Sequence, residues 1–414
     1  MLSTSPISVP PTGVWEGHFR GSSDYRRILT ALGFAGFATF AGLYAPQSLL
    51  PAIQRSFGIT AAESAMTVSV STIALALALL PWSWVADRIG RLSAMTIALV
   101  ASAAIGLLIP FAPSFEALLV LRALLGLALG GLPALAITYL HDEVSHRFSA
   151  IAAAAYISGT TIGGALGRLV AGPVAAILDW RGGLIAVACA CALSAVAFIL
   201  IVPRAQGYSR ETPPTIRDVL RGVATSLRNP TLLVLYGQGM LLMGSFVAVY
   251  NFFAFRLEAP EFGISAFLVS FIFAAYIAGT VSSRVAAQVV SRFGRSTVVV
   301  ASGGLMLVGL ALTLIPIIVV MVAGLVVFTF GFFAAHSVNS AGVGRTASGA
   351  RAQATSLYNI AVYVGSGLFG WLAGIVWAVA SWWGVFLFVA GLIVLALALL
   401  VLPKRAAERS LTSR

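Results

Sequence analysis

Two arginines and one histidine stand out within the long apolar runs of this sequence. Arg122 and Arg168 carry a permanent positive charge, and His336 has an imidazole ring that titrates near neutral pH. An arginine at the centre of a bilayer costs about 2.5–3.5 kcal/mol on insertion scales, so it generally lines a cavity or has a polar partner. The chemistry that these residue types offer is recognition of an anion and transfer of a proton.

The depth of each arginine in its apolar run separates the alternatives. Arg122 follows Glu116 by six residues, about 9 Å along a helix, and either takes part in function or extends its side chain to the nearer membrane surface. Arg168 precedes Asp179 by eleven residues, about 16 Å, which is too deep for such an extension. Arg168 therefore faces a cavity or pairs with backbone carbonyls.

Other polar side chains in the apolar runs are candidates for the same cavity. His336 has polar neighbours at Ser337 and Asn339, so a substrate or proton site and simple packing both remain open for it. Burying an unpaired amide costs free energy, which favours a lining role for the amides, whereas tyrosines at this depth also serve packing. The predicted pathway residues, besides Arg122, Arg168 and His336, are Asn339, Tyr44, Gln47, Tyr250, Asn251, Tyr358, Asn359 and Tyr363.

The composition requires lipid as the solvent for most of the chain. Of its 414 residues, 59% are hydrophobic and only 9% are charged, against about 25% in soluble domains. The net charge of +12 lies mainly between apolar runs, so it indicates membrane topology and excludes a nucleic-acid partner. Cys189 and Cys191 lie within one run and are expected to be free and structural, and no metal site is predicted.

Twelve apolar runs are long enough to cross a bilayer, which takes about 20 residues each. The runs occupy about 28–50, 62–86, 93–112, 117–140, 148–178, 183–202, 231–255, 264–289, 297–316, 318–342, 353–377 and 383–402. Alternate loops carry nearly all the arginines, and such loops stay in the cytoplasm. Both termini are therefore predicted to be cytoplasmic. The predicted units are a tail 1–27, a bundle 28–203, a cytoplasmic linker 204–230, a bundle 231–402 and a tail 403–414.

The two predicted bundles are repeats of one six-helix unit. The turn "ADRIGR" recurs as "VSRFGR" at an offset of 204, and "IGGALGRLVAG" at Ile162 matches "VGSGLFGWLAG" at Val364. Two parallel repeats around a central site are an architecture of secondary transporters. The predicted fold class is an all-α membrane protein with twelve transmembrane helices in two pseudo-symmetric six-helix bundles.

The whole chain resembles the major facilitator superfamily. The turn between spans 2 and 3 is similar to that family's motif Gly-x-x-x-Asp-Arg-x-Gly-Arg-Arg/Lys, with Leu92 in place of the last basic residue. The segments "YAPQSLLPAIQRSFGIT", "GSFVAVYNFFAFRL" and "FGFFAAHSVNSAGVGR" resemble the YnfM-type branch of bacterial inner-membrane transporters. The resemblance implies alternating-access transport in the cell inner membrane, coupled to the proton gradient. It also implies that Arg122, in "RALLGLALGG", contributes to proton coupling.

The repeated turn is predicted to latch the two halves as well as to fix topology. The Asp87 carboxylate closes span 2 and is well placed for the positive N-terminal end of span 11, which begins beside Arg351. The alternative is a purely topological role. The second copy has Ser291 in place of the aspartate, so its latch is expected to be weaker. The predicted latch residues are Asp87, Arg88, Gly90, Arg91, Arg351, Arg292, Gly294 and Arg295.

Small residues recur every four positions in span 5. Such a stripe lets two helix backbones approach closely, so we predict a packing seam along it. It partly resembles the antiporter motif of efflux members, although the final glycines of that motif are missing here. The seam residues are Gly159, Gly163, Gly167, Gly172 and Pro173.

These observations favour a transporter that exports a small organic solute against the proton gradient. An importer of a small organic anion is the alternative, and a membrane enzyme or sensor is third, because neither a P-loop nor a metal-spaced histidine set is present. No carboxylate lies at mid-membrane, which leaves the coupling ion open and favours an anionic or neutral substrate over a cation. We expect no cofactor besides the coupled proton, no catalytic residue, membrane lipids and the solute as partners, and a functional monomer.

Overall fold

The apolar runs form long helices. The computed structural model describes residues 15–207, 215–347 and 350–401. The predicted tail 403–414 and part of the predicted tail 1–27 lie outside these ranges. The helices are α1 Ser23–Tyr44, α2 Leu50–Phe57, α3 Ala61–Ile89, α4 Arg91–Leu108, α5 Phe115–Leu129, α6 Pro133–Glu143, α7 His146–Ile177, α8 Trp180–Ile201, α9 Ile216–Leu227, α10 Pro230–Glu258, α11 Ala266–Val269, α12 Tyr276–Phe293, α13 Arg295–Leu312, α14 Ile318–Thr346 and α15 Arg351–Ala398.

Local sequence signals explain where several of these helices begin and end. Thr60 and Glu63 form a reciprocal capping box at the start of α3, which satisfies amide groups that have no partner within the helix. At the other end of α3, Gly90 has φ 90°, and Gly294 at the end of α12 has φ 76°. A backbone with positive φ favours glycine, so both copies of the repeated turn reverse the chain at a glycine.

Eleven stretches of the described residues are long and apolar enough to cross a membrane. The last, Arg351–Val401, has 51 residues, about 75 Å of helix, whereas a bilayer core is about 30 Å thick. Its helix breaks at Ala380 and Ser381, where the backbone leaves the helical region. Two crossings separated by this break fit the length, so a total of twelve crossings fits the structure.

The helices form two halves, α1–α8 and α10–α15, and α9 lies between them in the chain. Small residues allow close packing within the halves. A Cβ atom on Gly163 of α7 would lie 2.5 Å from the Cα atom of Phe37 on α1, and Gly365 of α15 faces Met240 of α10 in the same manner. The predicted seam residues Gly159 and Gly167 also face α1, at Gly33 and Ala41.

The segment that joins the halves contains a helix that the hydrophobic pattern did not predict. Thr215 and Asp218 cap the start of α9, and hydrogen bonds from Thr215 hold the pKa of the Asp218 carboxyl below its ordinary value. Gly222 of α9 packs against Gln353 near the start of α15. We call the membrane side that bears this segment the linker side, and the opposite side the far side.

Candidate functional site

A polar cluster lies at the interface between the two halves. The Gln47 amide Nε2 donates a hydrogen bond of 2.7 Å to Asn251 Oδ1, and both side chains are fully buried. Gln47 belongs to the first half and Asn251 to the second, so this buried hydrogen bond crosses the interface.

Arg168 extends this pair into a hydrogen-bond chain. The residue projects from α7 and is 2% exposed. Its Nε donates a hydrogen bond of 2.7 Å to Gln47 Oε1, and its Nη1 donates one of 2.5 Å to the carbonyl oxygen of Gly164. Among the described residues, Nη2 has no hydrogen-bond partner. Arg168, Gln47 and Asn251 thus form a continuous chain that crosses from one half to the other.

Three aromatic rings surround the Arg168 guanidinium. Its central carbon lies 4.6 Å from the centroid of Tyr44, 5.2 Å from that of Phe273 and 5.0 Å from that of Tyr276. Ring faces attract a cation electrostatically, most strongly where water is excluded. Tyr44 belongs to the same half as Arg168, whereas Phe273 and Tyr276 belong to the other half. The Tyr44 hydroxyl lies 3.4 Å from Ser366 Oγ, also across the interface.

The charge of Arg168 has no carboxylate partner in the described part of the chain. Its hydrogen bonds go to an amide side chain and a backbone carbonyl, and no ion pair of the described residues includes it. A buried cation without a counter-charge is costly, and it favours an anion as its partner.

Arg122 has a different environment. All three guanidinium nitrogens donate to backbone carbonyls, Nε to Thr67 at 2.7 Å, Nη1 to Gly42 at 2.8 Å and Nη2 to Leu43 at 2.5 Å. These carbonyls belong to α3 and to the last turn of α1. Helix ends leave carbonyls without partners, so Arg122 stabilises the end of α1 within its own half.

Further contacts close the interface on the far side. Arg55 Nη1 lies 2.9 Å from Glu258 Oε2, across the two halves. Gly374 of α15 packs directly against Ala62 of α3, and Gly172 of α7, another predicted seam residue, packs against Ser270 of the other half. Ala62, Ser270 and Glu258 are all at far-side ends of their segments. The two halves therefore meet tightly at the far side.

His336 lies within the second half, in an aromatic cluster. Its Nδ1 is 3.2 Å from the Tyr358 hydroxyl, and its ring stacks on Phe332 at 5.5 Å. Phe332 stacks in turn on Phe246 at 4.0 Å. Tyr250 belongs to the same cluster, and its hydroxyl lies 2.7 Å from Thr329 Oγ1. The structure thus brings the predicted residues His336, Tyr358 and Tyr250 into one cluster. Tyr276 contacts both Tyr250 and the Arg168 guanidinium, so the cluster is adjacent to the Arg168 site.

The predicted latch residues lie on the linker side. Arg91, the first residue of α4, forms an ion pair with Asp142 near the end of α6. Asp87 interacts electrostatically with Arg91 and Arg88, and the Arg88 guanidinium lies 3.4 Å from the Trp84 ring centroid. These contacts build one cluster of charges that joins three helices of the first half.

Arg351 stands at the start of α15, on the same side of the bundle. Its charge interacts with His141 at the end of α6, which brings the second half near the charge cluster of the first. Asp142 and His141 were not predicted as latch residues, although an acidic residue at the end of a span was a usable signal.

The second copy of the turn has neutral partners instead of acids. Arg295 Nη2 donates a hydrogen bond of 2.6 Å to Gln238 Oε1, and Arg295 Nε donates one of 3.3 Å to Asn339 Oδ1. Asn339, predicted for the pathway, therefore lies beside the second turn and away from Gln47. Arg292 lies over the Phe293 ring at 5.3 Å, and Ser291 bonds to its own helix at Gln288.

Two predicted pathway residues on α15 remain apart from the hydrogen-bonded chain. Asn359 is half-buried and has no side-chain hydrogen bond to the described residues. Tyr363 is buried, 6% exposed, and has no side-chain hydrogen bond to the described residues. Pro173 lies inside α7, one residue after Gly172.

Several residues of the interface were missed by sequence reasoning. Gln238, which bonds to Arg295 and to the Ala396 carbonyl within the second half, was also missed, although it offered the same signal as Asn251, an amide inside a span. Phe273, Tyr276 and Ser366 offered none, because an aromatic or small polar residue in an apolar run is equally typical of helix packing.

Comparison with known proteins decides the family. A family model described as Major Facilitator Superfamily matches residues 32–341 and 241–414, which together cover most of the chain. The chain belongs to the Major Facilitator Superfamily. It is accordingly a membrane-spanning secondary transporter, and the resemblance read from the charged turn is confirmed.

Individual relatives of this superfamily member cover nearly its whole length. The inner membrane transport protein YnfM of Escherichia coli is 39% identical over 91% of this chain and 90% of the relative. The uncharacterized MFS-type transporter YybF of Bacillus subtilis is 34% identical over 88% and 90%. The fold is shared with a solved structure of a bacterial homolog of the human lysosomal transporter Spinster, in an inward-facing and occupied conformation. The TM-score is 0.77 at 15% sequence identity, and the match covers 93% of this chain and 98% of that one.

Proposed function

We propose that this transporter exports a small organic solute from the cytoplasm in exchange for protons. The observation that carries the proposal is the chain from Arg168 through Gln47 to Asn251, because it joins the two halves through buried polar side chains. The relative YnfM, named as an inner membrane transport protein, supports a place in the cell inner membrane. Basic loops on the linker side support cytoplasmic termini.

Alternating access requires contacts that break on one side of the bundle while others form on the opposite side. The far-side contacts Gln47–Asn251, Arg55–Glu258 and Tyr44–Ser366 are all made by side chains. They can separate without unwinding a helix, since each half keeps its own backbone hydrogen bonds. On the linker side, the Asp87 cluster and Arg351 are the groups we propose to close the bundle when the far side opens.

His336 is the proposed proton carrier. It is the histidine of the described spans that lies away from the helix ends, and its Nδ1 faces the Tyr358 hydroxyl. An imidazole nitrogen can take up and release a proton, whereas the carboxylates of the spans lie toward their ends. The cluster around His336 reaches the Arg168 site through Tyr250 and Tyr276, so both sites share one interface.

Proteoliposomes with an imposed pH gradient test this function. Three probes that cross lipid poorly are suitable, namely benzenesulfonate as an anion, phenyltrimethylammonium as a cation and glucose as a neutral solute, within a wider panel of organic solutes. We expect a solute to accumulate against its gradient only while protons flow the opposite way, as reported by a trapped pH dye. His336→Asn should lose this pH-driven accumulation and keep solute exchange. Absence of pH-driven accumulation for the whole panel would refute the function.

Import of a small organic anion is the second candidate. The buried charge of Arg168, which has no carboxylate partner among the described residues, favours an anion irrespective of direction. In the same vesicles, uptake that follows the proton gradient in the same direction would support import over export.

A further inference from the structure

We infer that Arg168 binds a carboxylate of the transported solute, and that this carboxylate displaces the side chain of Gln47. The inference rests on the proposed function, because it names the chemical class of the solute that the site accepts. It also links binding of the solute to opening of the far side.

The geometry of the guanidinium supports a carboxylate. Nε and Nη2 of an arginine lie on one edge and donate in parallel, which matches the two oxygens of a carboxylate. In Arg168, the Nε donor of this edge is occupied by Gln47 Oε1 at 2.7 Å, while Nη2 has no partner among the described residues. A carboxylate at this edge would replace one neutral acceptor by two charge-assisted hydrogen bonds.

The surroundings of Arg168 fit an anion with a flat or apolar body. Tyr44, Phe273 and Tyr276 present rings within 5.2 Å of the guanidinium carbon, so an aromatic or unsaturated solute could stack between them. The described residues place no acid next to the guanidinium. The site is therefore net positive, which disfavours a cation.

Binding at this edge would weaken the closure of the far side. Gln47 uses its carbonyl oxygen for Arg168 and its amide nitrogen for Asn251, and together these two bonds hold its side chain in place. Loss of the Arg168 bond frees the Gln47 side chain, and the bond between the halves then has a single anchor. The solute would thus weaken the hydrogen bond between Gln47 and Asn251 that joins the two halves.

Arg122 serves as an internal comparison. It is equally buried, at 1% exposure, but each of its guanidinium nitrogens already donates to a carbonyl of α1 or α3. No edge of Arg122 is open to a solute without breaking the end of α1. The two arginines differ in their partners: Arg122 donates to backbone carbonyls alone, whereas the Nε of Arg168 donates to the side-chain amide of Gln47.

Binding measurements on the purified full-length protein test the inference. The ligands are pairs that differ only in carboxylate against carboxamide, with benzoate and benzamide as the first pair, read by thermal shift and by titration. Gln47→Glu places a carboxylate beside the Nε–Nη2 edge of Arg168 with little change of side-chain shape. Arg168→Lys keeps the positive charge but removes the planar guanidinium with its two parallel donors. Arg284→Gln removes an exposed arginine of α12 and is the matched control.

We expect carboxylates to bind and their carboxamides to bind at least about tenfold more weakly, as loss of charge-assisted hydrogen bonds predicts. Gln47→Glu should fold and lose carboxylate binding, Arg168→Lys should weaken it about tenfold, and Arg284→Gln should bind as the parent does.

Equal binding of both members of every pair, unchanged carboxylate binding in Gln47→Glu, or absence of any carboxylate ligand would overturn the inference. If no carboxylate binds but the parent protein shows pH-driven transport of neutral or cationic solutes, the proposed function stands and the carboxylate site alone fails.

Discussion

At the scale of single residues, two buried arginines show what a sequence can and cannot reveal. Both Arg122 and Arg168 were recognisable as expensive charges in apolar spans. Their environments were not predictable, because the carbonyls around Arg122 and the rings around Arg168 come from residues distant in sequence. Burial depth identified candidates, and only the tertiary structure supplied their partners.

The amides followed the same pattern. Gln47 and Asn251 were predictable as polar residues that need partners, and each is the other's partner across the interface. Asn339 was selected by the same argument, but its partner is Arg295 of the second turn. A polar residue in a span thus predicts a partner without saying which one.

Asp87→Asn should impair transport while leaving the folded protein intact. Asp87 interacts with Arg88 and Arg91, and Arg91 also pairs with Asp142, so loss of the charge weakens the linker-side cluster. The free energy lost with a hydrogen bond to a charged group is large enough to reduce the flux about tenfold or more. The measurement is initial flux in proteoliposomes at equal protein content.

Ser291→Asn is the matched control for this variant, since Ser291 stands at the equivalent position of the second turn and is exposed. It should retain flux near the parent value. Parent-like flux in Asp87→Asn would contradict a role for Asp87 in closing the linker side, as would an equal loss in both variants.

At the scale of helices, hydrophobic periodicity and length predicted the spans and glycine predicted their turns. The break at Ala380 and Ser381 falls within the predicted gap between the last two runs. The helix α9 was not predicted, because it is short and polar, and its capping box Thr215–Asp218 was the available signal. The 3-10 segment Ala45–Ser48, which positions Gln47, was not predicted, and Pro46 near its start was the available signal.

The glycine seam makes a prediction at this scale. Gly163→Ala should lower the melting temperature of the purified protein by several degrees, because its Cβ would lie 2.5 Å from a backbone atom of Phe37. Overpacking of this kind costs about 1–3 kcal/mol. Gly304→Ala in α13 has open space around its Cβ and should leave the melting temperature unchanged or slightly raised. Equal melting temperatures for the parent and both variants would contradict the seam.

At the scale of the whole molecule, two repeats form one interface with unequal contributions. The repeats are visible in the sequence, and Gln47 of one half bonds to Asn251 of the other across the interface. The repeat alignment pairs Arg168 with Gly370, whose carbonyl lies 3.4 Å from Asn251 Nδ2. One half therefore supplies the charge and the other only backbone at the same position. The duplication was predictable, whereas this division of roles required the structure.

In the proposed transport cycle, the two halves separate at the far side each time the solute crosses. Arg55→Cys with Glu258→Cys, in a protein whose Cys189 and Cys191 are changed to serine, allows a short reversible cross-link where the Arg55–Glu258 ion pair lies at 2.9 Å. Each single cysteine variant, treated with the same reagent, controls for modification alone. The measurement is solute flux in proteoliposomes before cross-linking, after it and after reduction. We expect the cross-link to stop flux and reduction to restore it. Undiminished flux through the cross-linked protein would contradict the account.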